Sequence, residues 1–213
     1  MINKDLKDYI ENNILPKYTE FDKGHDIEHV KTVIEESLRL AEKCGVNFDY
    51  AYVIAAYHDL GLCEGRKLHH IVSGKILEAD IQLRQWFSLE EIKIMKDAVE
   101  DHRASSKNPP RSIYGKIVAE ADRDIIPLKI IKRTIQYSMK NTPTPDKEIH
   151  WKNLIAHMDE KYAEGGYMKL WFDNSQNAER LKELRKIIAD KKQLRNIFED
   201  LYSKELSEQC PVR

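Results

Sequence analysis

The residues from 51 to 57, AYVIAAY, are apolar and aromatic throughout, and they end at once in His58-Asp59, with Leu60 and Gly61 following. Apolar on every side, this run fits a central buried helix. The doublet that closes it is the constraint. A carboxylate and an imidazole buried beside such a helix cost several kcal/mol unless a partner or a metal compensates them. Whatever fold the chain adopts must bring that compensation to this point.

The rest of the chain reads as helices. Only 8 Gly and 7 Pro occur in 213 residues, and alternating Val/Ile/Thr runs are scarce. A short helix over 6–15 is ended by Pro16. After a Gly turn, Val30, Val33, Ile34, Leu38 and Ala41 follow helical spacing up to Gly45. His25 and His29 share a face if that helix already includes residue 25. The buried run covers 50–60, with Gly61 as its C-cap. The segment KLHHIVSGKILEADI restarts a helix with His69, His70 and Gly74, and Ser88 with Glu91 forms a capping box for the next. The stripe of that helix runs Ile92, Met95, Val99 and then His102, which points inward. Ser112 caps a helix on which Val118, Asp122 and Ile125 share a face, and Pro127 interrupts it. Thr144-Pro145 starts another, and 177–206 reads as one long charged amphipathic helix. The expected fold is all-α: an N-terminal helix over 1–20 packed on a core over 21–126, with 127–213 as a helical extension of the same domain.

Basic and acidic residues balance at 35 to 36, so no net charge steers the chain toward nucleic acid or membrane. No apolar run reaches the roughly 18 residues of a membrane span, and the charged start is unlike a signal peptide. Cys44, Cys63 and Cys210 are few and odd in number, which fits a reduced, cytoplasmic protein. The inward or helix-end polar residues are His29, His58, Asp59, His70, His102 and Asp122. Imidazole nitrogen and carboxylate oxygen together suit a divalent Mn, Fe, Zn, Ni or Co, or Mg with more water. The absence of an inward cysteine argues against a closed structural zinc site.

His29 before Val30 and Val33, then His58-Asp59 before Leu60-Gly61, then Asp122 in AEADRD, resemble the HD-domain superfamily of metal-dependent phosphohydrolases over about residues 21–126. The resemblance implies an HD-type helical bundle in which His29, His58, Asp59 and Asp122 hold a metal. It also implies that Asp59 can bridge a second ion where further histidines are present. His70, with Gly74 four residues on, is similar to the third-position histidine of the two-metal branch, with His69 as its competitor, and His102 is similar to the next. Leu62 replaces a lysine common in that branch, and no GYP motif follows His102, which speaks against cyclic-dinucleotide cleavage. The HDIEHV opening is similar to small bacterial stand-alone HD hydrolases, some of which act on nucleotides.

A metal held by two His and two Asp keeps positions for water and a phosphoryl oxygen. The expected activity is hydrolysis of a phosphate ester or anhydride in a small phosphorylated metabolite, foremost a nucleotide. Asp59 and His58 are then its catalytic residues. Transition-state charge calls for cations. The candidates are Arg103, beside His102, then Arg66, Lys67 and Arg111; Arg123 would instead orient a carboxylate. Two other functions fit the same residues: a di-iron oxygenase, which needs both further histidines on metal, and a non-catalytic metal- or nucleotide-sensing module. His150 and His157, without carboxylate partners, read as surface or boundary residues, and Trp151, Trp171 and Phe172 as packing aromatics.

Overall fold

The computed structural model describes residues 1–22, 24–106 and 108–209, and among these it holds ten α-helices and no strand. The chain is all-α, and it divides into two compact units, Met1–Arg123 and Asp124–Arg213. Cys210 lies outside the described residues.

In the first unit, α1 (Lys4–Asn13) leads into a 3-10 turn, Leu15–Glu20, that carries Pro16 in its own first turn. Helix α2 (Ile27–Cys44) starts at Asp26, whose side chain accepts from the N–H of Glu28 and His29. His25 therefore precedes the helix and does not share a helical face with His29. The helix stops at Gly45, where φ is +64° and a side chain would be strained.

Helix α3 (Phe48–Tyr57) is buried at every residue from Ala51 to Tyr57, as its all-round apolar sequence requires. Each such large side chain gains roughly 1.5–3 kcal/mol from burial. Two hydroxyls manage its end. Tyr57 and Tyr9 both donate to Asp80 Oδ2 at 2.6 Å, and Tyr18 donates to the Ala56 carbonyl at 3.0 Å while accepting from the Asp59 N–H at 3.3 Å.

A 3-10 turn, Leu60–Glu64, then lies flat against α4 (His69–Ala79). Gly61 is not the expected left-handed cap. Its N–H donates to Ser73 Oγ at 2.8 Å, and an added Cβ would collide with the His69 carbonyl and lie 2.6 Å from the Ser73 nitrogen. Close approach, not backbone conformation, demands glycine here. After a further 3-10 turn, Ile81–Gln85, α5 (Leu89–Glu100) opens on the full Ser88–Glu91 capping box. Helix α6 (Ile113–Ala121) is capped by Ser112 and ends one residue before Asp122, short of the length its apolar spacing implied. Helix α4 packs on α5, and α2 on α3 and α6.

The second unit comprises α7 (Pro127–Asn141), α8 (Lys147–Lys161), α9 (Gln176–Ala189) and α10 (Lys191–Gln209). Its own core includes Ile131, Ile135, Leu154, Met158, Leu184 and Phe198. Pro127 opens a helix rather than interrupting one, because its missing N–H is not needed in a first turn. Asp146, not Thr144, caps α8. The single helix expected over 177–206 is broken at Asp190, whose carboxylate accepts from the N–H of Lys192 and Gln193 and starts α10. His150 is buried, contrary to its boundary reading: Ser138 Oγ lies 2.8 Å from Nδ1 and the Thr144 carbonyl 3.1 Å from Nε2. Trp151 packs against Phe198 under the Arg195 guanidinium. No helix among the described residues is long and apolar enough to cross a membrane.

Candidate metal centre

Four side chains from three helices meet within the first unit. His29 enters from the first turn of α2, His58 and Asp59 from the end of α3, and Asp122 from just past α6. His58 Nε2 lies 3.3 Å from Asp59 Oδ2, 3.6 Å from Asp122 Oδ1 and 3.3 Å from His29 Nε2. His29 Nε2 lies 3.2 Å from Asp122 Oδ1 and 3.7 Å from Asp59 Oδ2. The other carboxylate oxygen of Asp59 faces a second pair: Oδ1 is 3.5 Å from both His69 Nε2 and His102 Nε2, which stand 2.9 Å from each other. One carboxylate thus belongs to two donor sets.

His58 Nδ1 is 2.7 Å from the Ala55 carbonyl, His102 Nδ1 2.6 Å from that of Val99, and His69 Nδ1 2.9 Å from that of Arg66. A carbonyl only accepts, so each ring carries its proton on Nδ1 and, when neutral, presents a lone pair at Nε2. Lone pairs then face lone pairs and carboxylates in a buried space, and only a cation reconciles them. Ligands about 2.1 Å from one ion stand roughly 3.0–3.4 Å apart, close to the spacing of both sets. Histidines oriented through their second nitrogen are also characteristic of metal ligands. The donor set fits a divalent ion.

Protons are the alternative source of positive charge. Burial would lower the His58 imidazole, but Asp59 and Asp122 raise it well above its ordinary value. Burial likewise raises Asp59, yet the positive His58 and His102 rings hold it well below the usual carboxylate range. Asp122 is lowered too, against its own burial, by hydrogen bonds from His29 and His58. His69 moves down, through burial first and the neighbouring His102 charge second. The shifts of His58, Asp59 and Asp122 report the same demand for a cation among the carboxylates, whereas His69 is held neutral by its surroundings.

The expected ligand residues His29, His58, Asp59, Asp122 and His102 come together. His70 does not join them. Successive helix residues point about 100° apart, so only one of the pair at the start of α4 can face Asp59, and it is His69. His70 lies behind, its ring 5.6 Å from that of His69, and burial followed by the His102 charge pushes it down to about 4. Tyr18, whose hydroxyl receives the Asp59 N–H, gave no sign of this role because its contact spans 41 residues.

The basic candidates separate by partner. Arg111 donates to Asp97, Glu100 and Asp101 together, so its charge is already met on α5 and it is not a free cation for substrate. Arg103 donates to the Lys67 carbonyl and to Ser105 Oγ, and Arg66 to His25 Nε2, all neutral acceptors. The Lys67 side chain is exposed. Arg123 is buried, and its guanidinium feels the charges of Asp122 and Glu120. Cys63 is exposed and Cys44 half-buried, and neither belongs to the donor sets.

Residues 26–124 match the HD domain family model, a span that contains every member of both donor sets. The chain carries an HD domain. The HD domain family is in general one of metal-dependent hydrolases. A crystal structure of Bacillus subtilis YpgQ in complex with ADP has a similar fold, with a TM-score of 0.54 at 18% identity over 98% of this chain and 96% of that one. No curated protein matches the sequence.

Proposed function

We propose that this HD domain hydrolyses a phosphate ester or anhydride of a small phosphorylated metabolite, with a nucleotide as the substrate class. The observation that carries the reading is the shared carboxylate: Asp59 completes one set with His29, His58 and Asp122 and another with His69 and His102. A divalent ion bound there supplies Lewis acidity, making water a nucleophile near neutral pH and drawing charge from a phosphoryl oxygen. The protein's own part is to hold that charge in place. His58 is locked by the Ala55 carbonyl, and Asp59 through its backbone by Tyr18. With its basicity so depressed, Asp59 is better suited to holding a cation than to accepting the nucleophile's proton. Arg66 and Arg103, whose charges are not met by carboxylates, are the donors suited to phosphoryl oxygens, with Lys67 beside them. The fold relative crystallised with ADP supports a nucleotide.

The test is turnover with Mn, Mg, Co, Ni or Fe on nucleoside mono-, di- and triphosphates and a chromogenic phosphodiester. Wild type should hydrolyse at least one of them, while Asp59→Ala and His58→Ala should lose about a hundredfold or more in kcat and His157→Ala should not. No turnover with any metal would contradict the proposal. The six donors are also what a di-iron oxygenase requires, and oxygen consumption dependent on iron would favour that activity instead.

A further inference from the structure

Three side chains at the rim of the centre form a line that neither donor set uses. Asp22 Oδ1 accepts the Gly24 N–H at 2.8 Å and lies 3.0 Å from His25 Nδ1, and His25 Nε2 lies 3.0 Å from Arg66 Nη2. A guanidinium has donors only, so Nε2 must accept, and the ring proton sits on Nδ1, donated to Asp22. Both bonds are satisfied at once by a neutral imidazole. The His25 ring stands edge-on to His29, with centroids 5.8 Å apart. Arg66 is fixed on the other side by its backbone, where its carbonyl receives His69 Nδ1–H. One residue therefore has its main chain on the second donor set and its side chain anchored beside the first.

The identity of the anchor decides what Arg66 is free to do. Arg111 is neutralised by three carboxylates. Arg66 leans instead on a neutral ring, and the carboxylate behind that ring, Asp22, is 67% exposed, so solvent screens it. A guanidinium pre-oriented by a neutral acceptor loses little entropy on binding and keeps its charge for an anion. We infer that His25, backed by Asp22, is a positioning residue that holds the Arg66 guanidinium at the rim of the metal centre to receive a phosphate group of the substrate. The assignment rests on the phosphohydrolase function proposed above.

Calorimetric binding of ADP to the Mn-loaded full chain, with Mn content measured in parallel, tests it. Arg66→Ala should weaken ADP by about tenfold or more, the scale of one charge-assisted contact. His25→Ala should weaken it in the same direction, and the double variant should bind no worse than Arg66→Ala, because both remove one interaction. His25→Gln places an amide oxygen near the Nε2 position and should restore binding. His25→Asn, which reaches only the Nδ1 position, should not. Mn content should stay at the wild-type level in every His25 variant. Additive losses in the double variant, equal weakness of His25→Gln and His25→Ala, or loss of Mn from His25→Ala would overturn the assignment. Wild type that binds ADP without hydrolysing any phosphate compound would sink the phosphohydrolase function alone. Wild type that binds neither ADP nor pyrophosphate would sink both.

Discussion

Asp59 faces four imidazoles with two oxygens: His29 and His58 on Oδ2, His69 and His102 on Oδ1. Removing either side should therefore have separable effects. His69→Ala should lower the bound metal by one equivalent after equilibrium dialysis, with the first set retained. His70→Ala should keep the full count, since that ring reaches neither oxygen set. Loss of metal on changing His70 but not His69 would reverse the assignment. The residue pair shows where sequence stops being informative. Spacing placed two histidines at the start of α4, but which of them turns inward depends on the rotation of the helix, and that is set by the 3-10 turn packed against its first residues. The doublet, His29 and Asp122 were legible because each closes or opens an apolar stripe. Tyr18 was not assigned to the site, because its contact with the Asp59 N–H spans 41 residues.

At the level of elements, two glycines perform different tasks. Gly45 ends α2 at positive φ with nothing near its would-be Cβ, so Gly45→Ala should cost about 1–2 kcal/mol of backbone strain. Gly61 has ordinary φ but no room, because the His69 carbonyl and the Ser73 nitrogen fill the space. Gly61→Ala should cost roughly 1–3 kcal/mol through overpacking and should also weaken metal binding, because the collision is with the residue that carries a ligand. Urea denaturation and metal titration of the two variants measure this. Equal stability loss with unchanged metal affinity at Gly61 would show that the turn and α4 adjust independently. The Gly45 stop was readable, since a glycine at the end of an apolar stripe is a common terminator. The Gly61 contact was not, because nothing in a sequence marks which helix a turn will lie on. The Asp190 break was hidden for a related reason: helical spacing continues on both sides of it.

For the whole molecule, the ionisation of the centre ties stability to pH. The His58 pKa is raised above its ordinary 6.5, so its contribution is fully present below 6.5 and is lost as pH rises through the raised value. Asp59 and Asp122 are depressed below their ordinary 3.8, so theirs is present above 3.8 and is lost as pH falls through the lowered values. In the metal-free protein these three groups therefore stabilise most between about 3.8 and 6.5 and progressively less above, while the lowered His69 and His70 work against folding below 6.5. With a divalent ion bound the trend reverses on the alkaline side, because metal competes with protons for the same nitrogens. Melting curves from pH 7 to 9 should show Tm falling with pH in chelator and holding or rising with Mn. Parallel curves would mean that no ion replaces the proton.

Asp59 is the residue on which both donor sets depend, and a cation bound beside it is the central expectation. An anomalous difference map from a crystal of the Mn-loaded protein locates it directly. Two peaks are expected, one bounded by His29, His58, Asp59 and Asp122 and one by Asp59, His69 and His102. A map with no peak beside Asp59 would contradict a metal centre there.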